Sequence, residues 1–237
     1  DPAFAFETAV IIRHGLQRMF VDNDDVMYYL TLYNENYVMP PAPDGVDTGI
    51  IEGMYRWADA PEPAERRATI LFSGTAHTAV AEARDELAEH FGVGAETWSV
   101  TSYKRLREDA LAAERWNRLH PMEPPRRPMV TDRLDQTEGP IIAVTDFMCS
   151  VPDQISRWAP RRFVSLGTDG FGRSDARAQQ RQFFAVDAPQ IVVAVLAALA
   201  ECGDVAPGVV AGAIERYGID PDVVPPWESW PAPSDPS

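Results

Sequence analysis

The sequence is poor in the features that would tie it to a metal, a membrane or nucleic acid. It holds two cysteines in 237 residues, Cys149 and Cys202, far apart and each inside apolar sequence. They form no CxxC and no metal-ligand spacing, so two buried free thiols in a reducing cytoplasm are expected. The histidines, His14, His77, His90 and His120, stand singly, without an HxxxH or HExxH arrangement, so no metal is expected on this chain. Bases are outnumbered, 21 Lys and Arg against 36 Asp and Glu, for a net charge of −15. A surface of that sign is repelled by phosphate backbones, which argues against nucleic acid as a partner. It favours solubility and can steer a basic partner. No apolar run reaches the roughly 20 residues of a membrane-spanning helix. The longest, Ile191 to Ala200, lies between Gln190 and Glu201 and reads as a buried helix. GxGxxG, the GxxxxGK phosphate loop and GxSxG are all missing. The chain opens Asp1-Pro2-Ala3, without Met or a targeting pattern, as a fragment or a processed chain would.

What is present is a normal globular composition, 45% hydrophobic, over a length that suits one large or two small domains. Phe4 to Phe20 carries a helical stripe through Phe6, Val10, Leu16 and Phe20. Asp22 to Asp25 is a turn, and the β-branched and aromatic run Val26 to Leu32 reads as a buried strand. Met39 to Asp44 is proline-rich and irregular. A short helix is expected over Asp47 to Trp57, and a second proline-bearing stretch, Ala58 to Glu65, marks a domain boundary near residue 60. Beyond it strands and helices alternate. Strands are expected at Thr69–Phe72, Thr97–Thr101, Ile141–Thr145 and Arg162–Leu166. Helices are expected at His77–His90, Lys104–Leu119, Phe147–Trp158, Ala176–Phe184, Pro189–Glu201 and Pro207–Tyr217. That alternation predicts an α/β fold with a mostly parallel sheet. A Pro/Trp-rich tail, 220–237, follows.

Open α/β sheets bind ligands beyond the C-terminal ends of their strands. Three such ends stand out. Tyr33-Asn34-Glu35-Asn36-Tyr37 follows the run Val26–Leu32, and five polar or hydrogen-bonding side chains in a row suit either a solvated loop or a ligand. Phe72-Ser73-Gly74-Thr75-Ala76-His77 passes from strand to helix, with Ser73 or Thr75 as an ordinary N-cap. Leu166 to Asp175 holds three glycines, read as turn formers, and Ser174 or Asp175 as a cap for the next helix. Glu114-Arg115-Trp116-Asn117 reads as an exposed, ion-paired helix face.

The strings DPAFAFETAVIIRHGLQRMF, YYLTLYNENYVMP, SVTSYKRLREDALAAERWNRLHP and LGTDGFGRSDAR are collinear. Together they resemble the C-terminal third of the single-chain, homodimeric pyruvate dehydrogenase E1 component, from residue 1 to about 218. The resemblance implies that 1–57 is the end of a thiamine-diphosphate pyrimidine-binding domain and that 65–219 is a transketolase C-terminal-like domain. It implies thiamine diphosphate and Mg²⁺ as cofactors of the assembled enzyme, held mostly outside this chain, since the family's Gly-Asp-Gly motif is absent here. It makes Glu35 a catalytic candidate and Asn34, Tyr37 and Val38 substrate-site candidates; the bacterial pattern has a histidine where Val38 stands. The implied partners are the N-terminal remainder of E1, a second E1 copy and a lipoyl-bearing E2. The implied reaction is decarboxylation of pyruvate with acetyl transfer to the lipoyl group. The alternatives are a split transketolase-like enzyme passing a two-carbon unit to a carrier protein, and a stand-alone interaction module.

Overall fold

A computed structural model describes residues 1–229. Its centre is a five-stranded sheet: β1 (Tyr55–Ala58), β2 (Arg66–Phe72), β3 (Val93–Ser99), β4 (Ile141–Val144) and β5 (Phe163–Leu166), ordered β1-β3-β2-β4-β5. The pairs β2–β3, β2–β4 and β4–β5 are parallel, and β1 alone runs antiparallel, against β3. Side chains of a strand alternate between faces. So Ile70, Phe72, Ile142 and Val144 point into one apolar layer, and Leu71, Ile141 and Ala143 into the other. The first layer is closed by α3 (His77–Phe91), α8 (Ala188–Cys202) and α9 (Pro207–Arg216). The second is closed by α4 (Tyr103–Leu119), α5 (Met129–Asp135) and α6 (Ser150–Ser156). The fold is therefore a three-layer α/β sandwich with a mostly parallel sheet.

α8 shows why sequence and place agree. Asp187 caps it through the Gln190 amide, Pro189 sits in its first turn, and Gly203 at φ +84 ends it. Ile191, Val192, Val195, Leu196 and Leu199 are all buried, each at roughly 1.5–3 kcal/mol of transfer free energy. The stretch 177–202 is apolar enough to cross a membrane by composition alone. It is broken after α7 (Arg177–Phe183), where Ala185 adopts φ +56, and its apolar half is the core of this domain.

Several expectations need correction. α1 runs Ala5–Leu16 and continues as a wider turn over Gln17–Val21, but its buried face is Glu7, Ile11 and Gly15. Ile12, Leu16 and Phe20 face outward. The cause is Glu7, which is fully buried and accepts four hydrogen bonds. They come from the Ala3 amide (2.5 Å), the Phe4 amide (2.9 Å), Tyr55 Oη (2.7 Å) and Ser99 Oγ (2.5 Å). Tyr55 and Ser99 are register partners across β1 and β3, so one carboxylate pins the N-terminal segment to the sheet. Phe4 adds a ring stack on Trp57, 4.4 Å between centroids.

The helix expected to Trp57 stops early: α2 is Asp47–Glu52, ended by Gly53 at φ +111, and residues 55–58 become an edge strand. Val26–Leu32 forms no ladder. Residues 26–38 alternate between half-buried and exposed, with one slip at Leu30-Thr31, but no described strand lies alongside to pair with them. Strand chemistry without a partner leaves an unpaired segment. Neither cysteine is buried: both thiols are free, Cys149 half-buried and Cys202 exposed. α5 was not anticipated in the proline-rich stretch after α4. Of the tail, 230–237 lies outside the described residues.

Candidate functional site

The C-terminal ends of β2, β4 and β5 open on one side of the sheet, where α/β folds place ligands. Just past β2 comes Thr75, past β4 Asp146, and past β5 Thr168 and the glycine loop. The Tyr33–Glu35 segment crosses over these ends. Gly74, at φ +53, lets it approach: a Cβ there would lie 2.5 Å from Tyr33 Oη. The result is a cleft of about 380 Å³ lined by Tyr33, Asn34, Glu35, Thr75, Asp146, Thr168, Gly170, Gly172 and a wall from Arg173 through Arg177 and Arg181 to Phe184.

Its floor is a hydrogen-bond network. Thr75 Oγ1 donates to the Asp146 carboxylate, and Thr168 Oγ1 donates to the Asp146 carbonyl at 2.7 Å. Ser73 Oγ and Thr145 Oγ1 pair beneath them at 2.9 Å. Ser73 and Thr75 thus serve the floor; neither caps α3. Burial pushes the Asp146 carboxyl above its ordinary range, and the Thr75 bond and the Arg181 charge only partly oppose that. The wall is ionic. Arg181 Nη2 donates to Glu35 Oε2 at 2.6 Å, with the two side chains only 20% and 18% exposed. Arg177 Nη2 donates to Asn34 Oδ1 at 2.7 Å, and its Nε lies 3.9 Å from Glu35. Nearby, His77 packs on Tyr37, 4.3 Å between centroids, and on Phe4; burial lowers its pKa.

Of the residues read from the sequence, Asn34 and Glu35 line the cleft together. Tyr37 turns away, donating to the Ala3 carbonyl and stacking on His77. Val38 projects from the surface, 91% exposed. The two other strand ends noted in the sequence, at Thr75 and in the glycine loop, converge on the same cleft. Asp146, Arg177 and Arg181 were missed. Asp146 carried one usable signal, its place as the first charged residue after a four-residue apolar strand. Ser174 and Asp175 do not cap α7 by side-chain bonds to its first turn; Asp175 accepts from the Ala176 amide and lies 3.5 Å from Arg173 Nε. Among the described residues no three His, Cys, Asp or Glu are grouped to hold a metal ion.

This architecture, a mostly parallel sheet with a ligand-sized cleft over its strand ends, is that of an α/β domain. Residues 53–187 match the family model of the transketolase-like TK C-terminal domain, and residues 1–40 match the pyruvate dehydrogenase E1 component middle domain. The chain belongs to the transketolase-like C-terminal domain family and is related over nearly its whole length to pyruvate dehydrogenase E1 components. It is 48% identical to the pyruvate dehydrogenase E1 component of Pseudomonas aeruginosa over 94% of this chain and 25% of that protein. It is 46% identical to that of Mycolicibacterium smegmatis over 93% and 24%, and 42% identical to that of Escherichia coli over 95% and 25%. It thus spans about a quarter of the length of these curated relatives.

Proposed function

We propose that this chain is the C-terminal part of a thiamine-diphosphate-dependent pyruvate dehydrogenase E1 of the cytoplasm. That enzyme decarboxylates pyruvate and transfers the acetyl unit to a lipoyl group on E2. The observation that carries this reading is 42–48% identity to E1 components across nearly the whole chain, middle-domain and C-terminal-domain regions alike. Residues 1–57 are assigned to the end of the pyrimidine-binding domain and residues 65–219 to the transketolase C-terminal domain, except that residues 55–57 of the first span belong to β1, which pairs with β3 in the sheet of the second. We assign the Mg²⁺ and the diphosphate mostly to the remainder of E1, a reading supported by the lack of a Gly-Asp-Gly motif in this sequence. Bound there, thiamine diphosphate supplies the carbanion chemistry.

This chain's own contribution is the cleft. Glu35 is held by Arg181 over the strand ends, a carboxylate placed to orient the substrate or carry a proton, with Asn34 beside it. The competing role for Glu35 is a purely structural ion pair joining the 33–37 segment to α7. Glu35→Gln separates the two, because it keeps the shape and removes the charge. In enzyme assembled from this chain, the rest of E1 and a second copy, pyruvate-dependent acetylation of a lipoyl domain is expected to fall about tenfold or more, as for proton-transfer groups. Assembly and melting temperature should hold. Wild-type turnover in the Gln variant, or a collapse of melting with no separate effect on turnover, assigns Glu35 to structure.

A further inference from the structure

We infer that the outer face of α4 and the loop after it, 120–128, form a docking surface for an acidic segment of a partner protein. In a chain of net charge −15, the stretch 104–128 holds seven bases and four acids. The excess is left bare. The side chains of Arg105, Arg107, Arg115, Arg118 and Arg126 are exposed and form no ion pair or hydrogen bond with the described residues. Every other base of the chain pairs with a carboxylate, apart from Arg161, which donates to the carbonyls of Leu134 and Gly139. The neighbouring acids do not neutralise the five. Glu114 accepts from Arg157 and from the Trp158 indole, Asp109 accepts from the Met129 amide, and Glu108 pairs with Lys104. The string Glu114–Asn117, expected to be an ion-paired face, therefore leaves Arg115 without a partner. Glu123, in the loop, pairs with none of the five among the described residues. Complementary charge selects an acidic partner for such a face and speeds its encounter.

The 3.6-residue turn puts Arg107, Arg115 and Arg118 on one side of α4, away from the buried Leu106, Ala110 and Ala113. Beside them Leu119 is 54% exposed and Met122 93%. The loop is held in place. Asn117 clamps it, accepting from the Arg126 amide at 2.7 Å and donating to the Arg126 carbonyl at 2.8 Å. Pro121, Pro124, Pro125 and Pro128 restrict its backbone further. A surface already ordered loses little freedom on binding, and arginine and methionine are enriched where proteins meet. A nucleic-acid strand fits less well, because such strands stack their bases on open aromatic faces. His120 stacks on the Trp116 ring at 3.6 Å and Arg126 lies over it at 3.5 Å, so close that the two occupy opposite faces and leave none open. An acidic peptide needs only cations and an apolar foothold, and both are present. α4 follows β3, and the chain must return to begin β4 in parallel. Arg115, Arg118 and the loop thus lie toward the other end of the sheet from the cleft, and this surface is separate from it.

The test is fluorescence anisotropy of the full chain against a labelled oligo-glutamate peptide with one central leucine, its oligo-glutamine counterpart and an oligo-dT strand. The glutamate peptide is expected to bind saturably and more weakly as salt rises. The glutamine peptide should not bind. Arg115→Glu combined with Arg118→Glu should weaken the glutamate peptide about tenfold, as exposed ion pairs are lost and repulsion replaces them. Arg13→Glu with Arg216→Glu, on α1 and α9, changes the net charge equally and should leave binding nearly unchanged. Circular dichroism shows whether the α4 variant is folded. If it is not, Arg115→Gln with Arg118→Gln is read in its place, with the same direction and a smaller loss. Absence of saturable glutamate-peptide binding, oligo-dT bound as tightly, or an equal loss in the α1 and α9 variant would overturn the inference. So would self-association of the chain that the α4 variant abolishes, because the occupant would then be a second copy. Peptide binding that vanishes once this chain is assembled with the rest of E1 would overturn it too, since the face would then be an internal contact of the enzyme.

Discussion

Glu7 is the residue on which the N-terminal segment depends. Its two oxygens take two backbone amides, a tyrosine and a serine, so four donors lose their acceptor when it goes. Glu7→Ala is expected to destabilise the chain by roughly 2–4 kcal/mol, since buried unsatisfied donors cost about 1–3 kcal/mol each and water offsets part. Glu7→Gln should cost much less, because the Tyr55 and Ser99 hydroxyls can turn from donors to acceptors of the new amide. Burial raises the Glu7 carboxyl above its ordinary 4.5, its hydrogen bonds opposing that only in part. The folded chain then holds this proton more tightly than the unfolded chain. The resulting stability is complete below 4.5 and is lost as pH rises through the folded-state value. Denaturant unfolding on both sides of that window, in wild type and Glu7→Gln, checks the sign. A Gln variant with the same pH slope removes Glu7 from the account. At this scale the sequence was partly opaque. A glutamate three residues after Phe4 looks like any solvated first-turn acid, and only the fold reveals that Tyr55 and Ser99 surround it.

The elements divide by how much of their partner lies in the chain. β2, β4 and β5 were legible because apolar and β-branched residues cluster in them and βαβ packing supplies both faces from nearby sequence. Residues 26–32 have the same chemistry, yet form no strand, because a strand needs a neighbour and the described residues provide none there. β1 was hidden for the opposite reason: its four residues follow a helix directly, and its pairing partner β3 lies some way down the chain. The glycine loop after β5 separates two glycines that look alike in sequence. Gly170 has φ +125, and a Cβ on it would meet the Pro226 carbonyl oxygen at 2.7 Å, where the tail packs over the loop. Gly172 has no such φ and nothing within 4 Å of its Cβ position. Gly170→Val should therefore lower stability by about 1–3 kcal/mol, whereas Gly172→Ala should leave thermal melting unchanged. Equal melting of both variants would show that the tail and loop give way. Loss of activity without loss of stability at Gly170 would instead mark the loop as a ligand contact.

On the scale of the whole molecule, the outward face of α1 has no cover. Ile12, Leu16 and Phe20 are 46%, 49% and 75% exposed, and with Ala9 and Val21 they line an open apolar groove of about 650 Å³. Met27, Tyr29 and Leu32, in the 26–38 segment, are exposed as well. Contiguous apolar surface of this kind marks an interaction site, since monomeric proteins seldom leave it in water. The N-terminal segment carries both departures from the sequence pattern, the end of the helical stripe (Leu16 and Phe20) that points outward while Phe6 and Val10 pack inward, and the strand without a ladder. One missing body of protein against this face would resolve both. Within the proposed function, that body is the remainder of E1 or its second copy. Ile12→Glu with Leu16→Glu tests it. Both side chains are about half exposed here, so the isolated chain should melt as wild type does. Mixed with the N-terminal remainder of E1, wild type is expected to co-elute on size exclusion and the double variant to run alone, because two charges buried without partners cost several kcal/mol. If the double variant assembles and turns over like wild type, this face stays open to solvent in the enzyme, and the groove on α1 needs another explanation.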